Sequence, residues 1–178
     1  MLGRAKERCL VICALCLLSS ISTASAEEYM TREQFLTTAF GGENYDAKKL
    51  WLDRELKSKT KAILGHELKG LRVRYWQNGA LTAWVFDEIG KEMPVTIGVT
   101  LNGNQVKNVT VLAFRESRGG EVRHGYFLAQ YRNASLNNEA RLTQSIDGIT
   151  GATLSVRAVT NVTRLSLMFS QYLSQQNQ

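Results

Sequence analysis

Residues 94–114 read PVTIGVTLNGNQVKNVTVLAF, and this stretch decides the expected fold. Apolar and polar residues alternate up to Asn102-Gly103, a pair that tolerates the positive φ of a tight turn. Residues 106–114 return from that turn, and Pro94 stands at a strand end, where a missing N–H is tolerated. The pattern predicts an antiparallel hairpin. Its buried face is expected to carry Val95, Ile97, Val99 and Leu101.

A second hairpin is predicted upstream. In residues 71–76, one face is expected to carry Leu71, Val73 and Tyr75, and the other Arg72, Arg74 and Trp76. Asn78-Gly79 supplies another tight turn. Ala80–Phe86 is the expected return strand. The sequence therefore predicts at least four antiparallel strands.

Helices are expected on both sides of these strands. A Thr-x-x-Gln capping box begins a helix over residues 31–40. A second helix is expected from Asp46 as its N-cap to a stop at Gly65, and the last begins near Ser155 with apolar residues at three- and four-residue spacing. The fold class is thus α+β: an antiparallel sheet of about four or more strands flanked by N-terminal and C-terminal helices.

Residues 1–26 have the three parts of an export signal. Basic residues precede an apolar stretch from 10 to 21, and Ala24-Ser25-Ala26 forms a small-x-small cleavage site. A dozen apolar residues are fewer than the roughly 20 that span a bilayer. We therefore expect a cleavable signal peptide, with retention as a membrane anchor as the alternative.

Processing at residue 26 would leave 152 of the 178 residues and no cysteine, because Cys9, Cys13 and Cys16 all lie in the signal. The net charge would fall from +6 to +4, since the signal holds three basic residues and one acidic residue. A disulfide framework and a thiolate metal site are thereby excluded from the processed chain.

Other site classes receive little support from the sequence. His66 and His124 lack the spacing of metal ligands, so no metal is expected. The positive charge is spread along the chain, which argues against a nucleic-acid partner. Three tryptophans are interpreted as packing residues: Trp51, Trp76 and Trp84.

The motif that carries chemistry lies at the start of the last expected helix, where residues 147–155 read DGITGATLS. A Ser/Thr-Gly-Ala-Ser/Thr tetrad with this Asp and this Ser around it is expected by chance in about one chain in ten thousand. An Asx turn that leads into a helix N-cap would account for the same residue types.

The segment resembles the flavinylation motif of the FMN-binding domain family, which includes small flavoprotein subunits of Rnf-type and sodium-pumping quinone reductase complexes. The resemblance implies FMN joined to Thr153 through a phosphoester, installed by a separate flavin transferase that reads Asp147, Gly151 and Ala152. The expected cofactor-binding residues of the motif are Asp147, Thr150, Gly151, Ala152, Thr153 and Ser155.

The resemblance covers about residues 93 to 173. Residues 95–117 are similar to the family's central hairpin and its Glu-Thr or Glu-Ser signature, which implies that Glu116 and Ser117 lie beside the flavin. The chain departs from the family by having Arg118-Gly119-Gly120 where Pro-Gly and another Gly are usual. The aromatic residues that follow are expected either in the core or against the isoalloxazine ring: Tyr126, Phe127 and Tyr131.

On this resemblance, residues 93–175 form the FMN-binding core, and residues 27–92 add helices and the first hairpin to the same globular domain. The implied function is a periplasmic electron carrier whose covalent FMN relays electrons from a membrane-embedded reductase, ferric-reductase-like or quinone-linked. With a retained anchor, the chain would instead be an inner-membrane subunit of an ion-translocating complex. A flavin-free binding or adaptor module is the alternative from another class. Because no catalytic set is recognisable, we expect an electron-transfer component rather than an autonomous enzyme.

Overall fold

The computed structural model describes residues 27–176, which form six strands and four α-helices. The predicted α+β class is confirmed, whereas the predicted export signal over residues 1–26 lies outside the described residues. The strands are β1 (Glu27–Glu28), β2 (Asp46–Trp51), β3 (Arg72–Asn78), β4 (Leu81–Ile89), β5 (Pro94–Asn102) and β6 (Gln105–Phe114). The helices are α1 (Arg32–Phe40), α2 (Arg54–Leu64), α3 (Gly125–Leu128) and α4 (Thr153–Gln176). Two short 3₁₀ helices flank α3: Gly120–Arg123 and Ala129–Tyr131.

One antiparallel sheet holds all six strands in the order β1-β6-β5-β4-β3-β2. Both predicted hairpins are confirmed as β3–β4 and β5–β6, and their turn glycines, Gly79 and Gly103, each have φ +56°. Strand β4 continues to Ile89, beyond the expected end at Phe86. The sheet therefore combines strands from both halves of the chain.

The helix predicted from Asp46 is wrong in its first part. Asp46–Trp51 is the edge strand β2, which pairs with β3 along its whole length. Helix α2 begins at Arg54, and its N-cap is Asp53, whose Oδ1 accepts the Leu56 N–H at 2.7 Å. Pairing with β3 satisfies backbone groups of residues 46–51, and only Leu50 of this strand is buried, so the sequence shows no clear strand alternation. The predicted stop at Gly65 is confirmed, with φ +82°.

Helices cover both faces of the sheet. Helices α2 and α4 pack on one face, where the rings of Trp84 and Phe169 lie 5.6 Å apart. Helix α1 packs on the other face against Trp76, Ala83 and Leu112. Trp76 and Trp84 are buried as predicted, but the packing role predicted for Trp51 is wrong because 62% of this residue is exposed.

The antiparallel order brings several chain segments to one end of the sheet, which we call the site end. Strands β2, β4 and β6 end there, and β3 and β5 begin there. Helix α4 starts near the same end, at Thr153 rather than the expected Ser155. Within residues 27–176, no helix combines the length and the hydropathy needed to cross a bilayer.

Candidate functional site

The predicted motif forms a tight turn followed directly by α4. The Ala152 N–H donates to the Ile149 carbonyl at 2.9 Å, and Gly151 in this turn has φ +81°. The Val156 N–H then donates to the Ala152 carbonyl at 2.9 Å, which is the first helical bond. Thr153 is therefore the first residue of α4, and it is exposed.

The first-turn N–H groups of α4 have no side-chain cap among the described residues. Helices α1 and α2 are capped by Thr31 and Asp53, whose side-chain oxygens accept first-turn N–H groups. Ala152, the residue before α4, has no side-chain acceptor. Unpaired N–H groups and the positive end of the helix dipole favour an anion at this position.

The loop after β6 packs directly on the motif through Gly119. A Cβ at Gly119 would lie 2.8 Å from the Ser155 Oγ and 3.3 Å from the Ala152 Cβ, and its backbone has φ +86°. Ala152 and Ser155 are themselves buried, while Asp147, Thr150, Gly151 and Thr153 are exposed. The structure thus brings together the two segments that the sequence singled out, with Gly119 as their contact.

Two glutamines that the sequence analysis missed hold the motif loop. The Gln130 Oε1 accepts the Asp147 N–H at 2.8 Å. The Gln144 Nε2 donates to the Gln130 carbonyl and, at 3.3 Å, to the Arg132 carbonyl. Because these partners are 12 to 17 residues apart in the chain, no local pattern indicates them.

An open cavity of about 430 Å³ lies beside the motif. Its lining includes Arg118, Arg123 and His124 but a single acidic residue, Glu121, and the motif contributes Thr150 and Gly151. Thr153, the first residue of α4, follows Gly151 by two positions in the chain. The complete lining is Ser117, Arg118, Gly119, Gly120, Glu121, Arg123, His124, Thr150 and Gly151.

Arg123 is held in this cavity by the N-terminal part of the fold. Its Nη1 donates to the Tyr29 hydroxyl at 2.6 Å, and its guanidinium carbon lies 4.7 Å from the centroid of the Tyr29 ring. The Glu27 carboxylate is 3.6 Å from the same guanidinium nitrogen. Tyr29 was not expected to contribute to the site, and it fixes a cation at the cavity wall.

Glu116 has a clear structural role. Its Oε1 accepts the N–H groups of Lys91, Glu92 and Met93 at 2.5, 2.7 and 3.0 Å. Burial acts to raise the pKa of Glu116, but these three hydrogen bonds outweigh it and hold the pKa below its ordinary value of 4.5. The carboxylate therefore ties the β4–β5 connection to the end of β6. A flavin contact of Glu116 stays a prediction, as does that of Ser117.

A buried carboxylate lies on the sheet face that carries α4. Glu88 is 6% exposed, and its two oxygens lie 3.1 and 3.0 Å from the Nε2 of His66. Burial raises the pKa of Glu88, and the His66 ring and the Arg157 charge oppose this rise. His66 thus has a partner that its sequence neighbours did not indicate.

The three aromatic residues that follow Gly119-Gly120 in the chain differ in their exposure. Phe127 and Tyr131 are buried in the core, and the Tyr131 hydroxyl lies 2.8 Å from the Thr160 Oγ1. Tyr126 is 71% exposed, and its ring stacks on His124 with centroids 5.6 Å apart. Of these aromatic side chains, Tyr126 is the one accessible to a ligand.

Comparison with protein families identifies this region. Residues 89–167 match the family model of the FMN-binding domain. The chain contains an FMN-binding domain. The match includes Glu116, the Gly119 loop and the whole motif from Asp147 to Ser155. The resemblance to the FMN-binding domain family is therefore confirmed, and binding of FMN by this chain is supported. No curated protein matches the chain.

The FMN-binding domain match leaves out the N-terminal part of the sheet. It begins at the last residue of β4, so β1, β2, β3, α1 and α2 lie before it.

Within residues 27–176, no three His, Cys, Asp or Glu side chains are grouped so that they could hold a metal ion.

Proposed function

We propose that the protein is an exported flavoprotein electron carrier that works in the periplasm with FMN attached to Thr153 through a phosphoester. It relays electrons from a membrane-embedded reductase, ferric-reductase-like or quinone-linked. FMN supplies the redox chemistry when bound, because it exchanges either one or two electrons. The observation that carries the proposal is the exposed Thr153 hydroxyl at the first position of an uncapped helix inside an FMN-binding domain.

The residues around Thr153 fit a phosphate group. The free N–H groups of the first turn of α4 can donate to its oxygens, and the helix dipole contributes about 0.3–1 kcal/mol in favour of an anion. Arg118 and Arg123 line the adjacent cavity and add positive charge. The cavity volume of about 430 Å³ is within the range of small-molecule sites.

The exposure pattern of the motif fits modification by a separate transferase. Asp147, Thr150, Gly151 and Thr153 are open to an approaching protein, and Gly151 presents no side chain. In the proposed installation, the Thr153 oxygen bonds to the FMN phosphorus of FAD, the pyrophosphate bond breaks, AMP leaves and the hydroxyl proton is lost. Ala152 has another role, since its buried methyl group lies beneath Gly119.

Fluorescence on a denaturing gel tests the attachment. The chain is co-expressed with a flavin transferase, and we expect a yellow fluorescent band and a mass increase of one FMN phosphoester. Thr153→Val should abolish both signals. Thr37→Val is the matched control, because Thr37 is an exposed threonine of helix α1 and lies outside the motif and the cavity. A fluorescent band from Thr153→Val would contradict the assignment of this residue.

Two further measurements test the rest of the proposal. Fractionation of the native host should place the protein in the periplasm, and N-terminal sequencing should give a start at Glu27. A start at Met1 together with membrane retention would favour the anchored subunit of an ion-translocating complex. A purified protein without flavin absorption after co-expression would favour the flavin-free binding or adaptor module.

A further inference from the structure

Five exposed cations lie together on the α1 side of the sheet, in the part of the chain that precedes the FMN-binding domain match. Arg72 and Arg74 are on β3, and Lys49 on β2 is paired in register with Arg74. Arg32 is the first residue of α1, and Lys69 lies just before β3. We call these five residues the basic face. All except Lys49 line one groove of about 340 Å³, together with Trp76.

The ion pairs among the described residues include no residue of the basic face. Within residues 27–176, no carboxylate lies within 4.0 Å of any of its five charged groups. Two acidic residues of adjoining segments, Glu67 before Lys69 and Asp87 on β4, are engaged elsewhere. Asp87 accepts the Thr96 hydroxyl at 2.5 Å, and Glu67 pairs with Lys61 at 3.1 Å.

Folding alone gives no reason for this arrangement. The directly opposed like charges of Lys49 and Arg74 destabilise the β2–β3 pair. Lysines on an edge strand discourage pairing with other chains, which accounts for Lys49. Arg72 and Arg74 are on β3, an interior strand of the sheet, so that explanation does not extend to them.

Apolar side chains border the same cations. Trp51 is 62% exposed and Leu71 is 63% exposed, at the end of β2 and the start of β3. The guanidinium carbon of Arg72 lies 5.6 Å from the centroid of the Trp51 ring. Indole rings and aliphatic side chains next to basic residues are typical of protein surfaces that lie in the headgroup region of a bilayer.

We propose that the basic face docks on a lipid bilayer with anionic headgroups. Its cations meet lipid phosphates, and Trp51 and Leu71 enter the boundary between headgroups and acyl chains. Both side chains lie at the site end of the sheet, so docking also brings the FMN-binding end toward the membrane. The docking itself does not depend on the flavin, and failure of the proposed function would leave it intact.

Vesicle co-sedimentation with two matched triple variants of the full chain tests the proposal. Lys69→Gln/Arg72→Gln/Arg74→Gln removes three charges of the basic face. The control removes three exposed charges elsewhere, as Lys57→Gln/Lys107→Gln/Arg132→Gln. Residues 1–26 are the same in every protein, so they cannot cause a difference between the two variants.

On vesicles of phosphatidylglycerol and phosphatidylcholine we expect the basic-face variant to partition about 100-fold more weakly than wild type. The control should stay within about threefold of wild type, because its charges lie outside the proposed contact. Circular dichroism of both variants checks that they are folded. Equal partitioning of the two triple variants would overturn the proposal.

Fluorescence gives an independent readout of insertion. Trp76 and Trp84 are buried, so brominated lipids should quench chiefly Trp51 in wild type and have little effect in Trp51→Phe. Absence of quenching in wild type would contradict insertion. Charge-dependent binding to immobilised polyglutamate, without a vesicle difference between the triple variants, would overturn the lipid assignment and indicate an acidic protein partner instead.

Discussion

Gly119 joins the loop after β6 to the motif over residues 147–155, and Gly119→Ala should therefore weaken both the fold and the site. Two costs add at this position. A residue with a Cβ costs about 1–2 kcal/mol in the left-handed region, where Gly119 lies at φ +86°. The new Cβ would also lie 2.8 Å from the Ser155 Oγ and 3.3 Å from the Ala152 Cβ, and overpacking of this kind costs about 1–3 kcal/mol. We expect a total loss of about 2–5 kcal/mol in the free energy of unfolding.

Urea unfolding followed by circular dichroism measures this loss, and a second variant separates its two parts. Ser155→Ala removes the hydroxyl that the new Cβ meets, so Gly119→Ala/Ser155→Ala should recover most of the packing cost and keep the backbone cost. Gly125→Ala is the control, since Gly125 has no positive φ and nothing within 4 Å of its added Cβ. A Gly119→Ala protein as stable as Gly125→Ala would refute this account of the contact. If the contact also orders the motif, flavin fluorescence per chain should fall in Gly119→Ala and return in the double variant.

Three further predictions follow from contacts elsewhere in the fold. Gly98→Ala should lose about 1–3 kcal/mol of unfolding free energy in a urea titration, because its Cβ would lie 2.7 Å from the Phe35 ring of α1; an unchanged midpoint would contradict this. Because the pKa of Glu116 is lowered in the folded state, its contribution to stability is present above the ordinary pKa of 4.5 and lost as the pH falls through the folded value. Wild type should then lose more stability than Glu116→Gln on acidification, and parallel pH profiles of the melting temperature would count against the three N–H contacts. For His66, burial acts to lower the pKa, but the bond to Glu88 raises it above 6.5 overall. The charge of His66 therefore stabilises the fold below pH 6.5, and this stabilisation is lost as the pH rises through the folded pKa. The difference in melting temperature between wild type and His66→Gln should accordingly shrink as the pH is raised. A difference that grows with pH would refute the ion pair.

The strands that could be predicted from the sequence are those with one apolar face in the core and one more polar face. In β5, Val95 to Leu101 alternate because one face lies under α4, and Asn102-Gly103 marks the turn. Strand β2 has no such contrast, since Leu50 is its only buried residue. Asp46 and Asp53 are equally suitable N-caps by residue type, and only pairing with β3 distinguishes between them.

The candidate site was predicted where its residues are contiguous in the chain. The motif from Asp147 to Ser155 could be recognised because its spacing is a local property. Gln130 and Tyr29 could not be recognised, because each acts on a partner far away in sequence, the Asp147 N–H and the Arg123 guanidinium. The Glu88 carboxylate was missed for a similar reason, since its partner His66 is 22 residues away.

Helix α4 also determines where the protein can be labelled without disturbing the site. Its 24 residues from Thr153 to Gln176 correspond to a rod of about 36 Å at 1.5 Å per residue. A label attached at the Gln176 end of this helix would thus lie about 36 Å along the helix axis from Thr153. A fusion immediately before Glu27 would instead adjoin the strand that holds Arg123 at the cavity. Labels for spectroscopic measurements are therefore better attached at the Gln176 end of α4 than before Glu27.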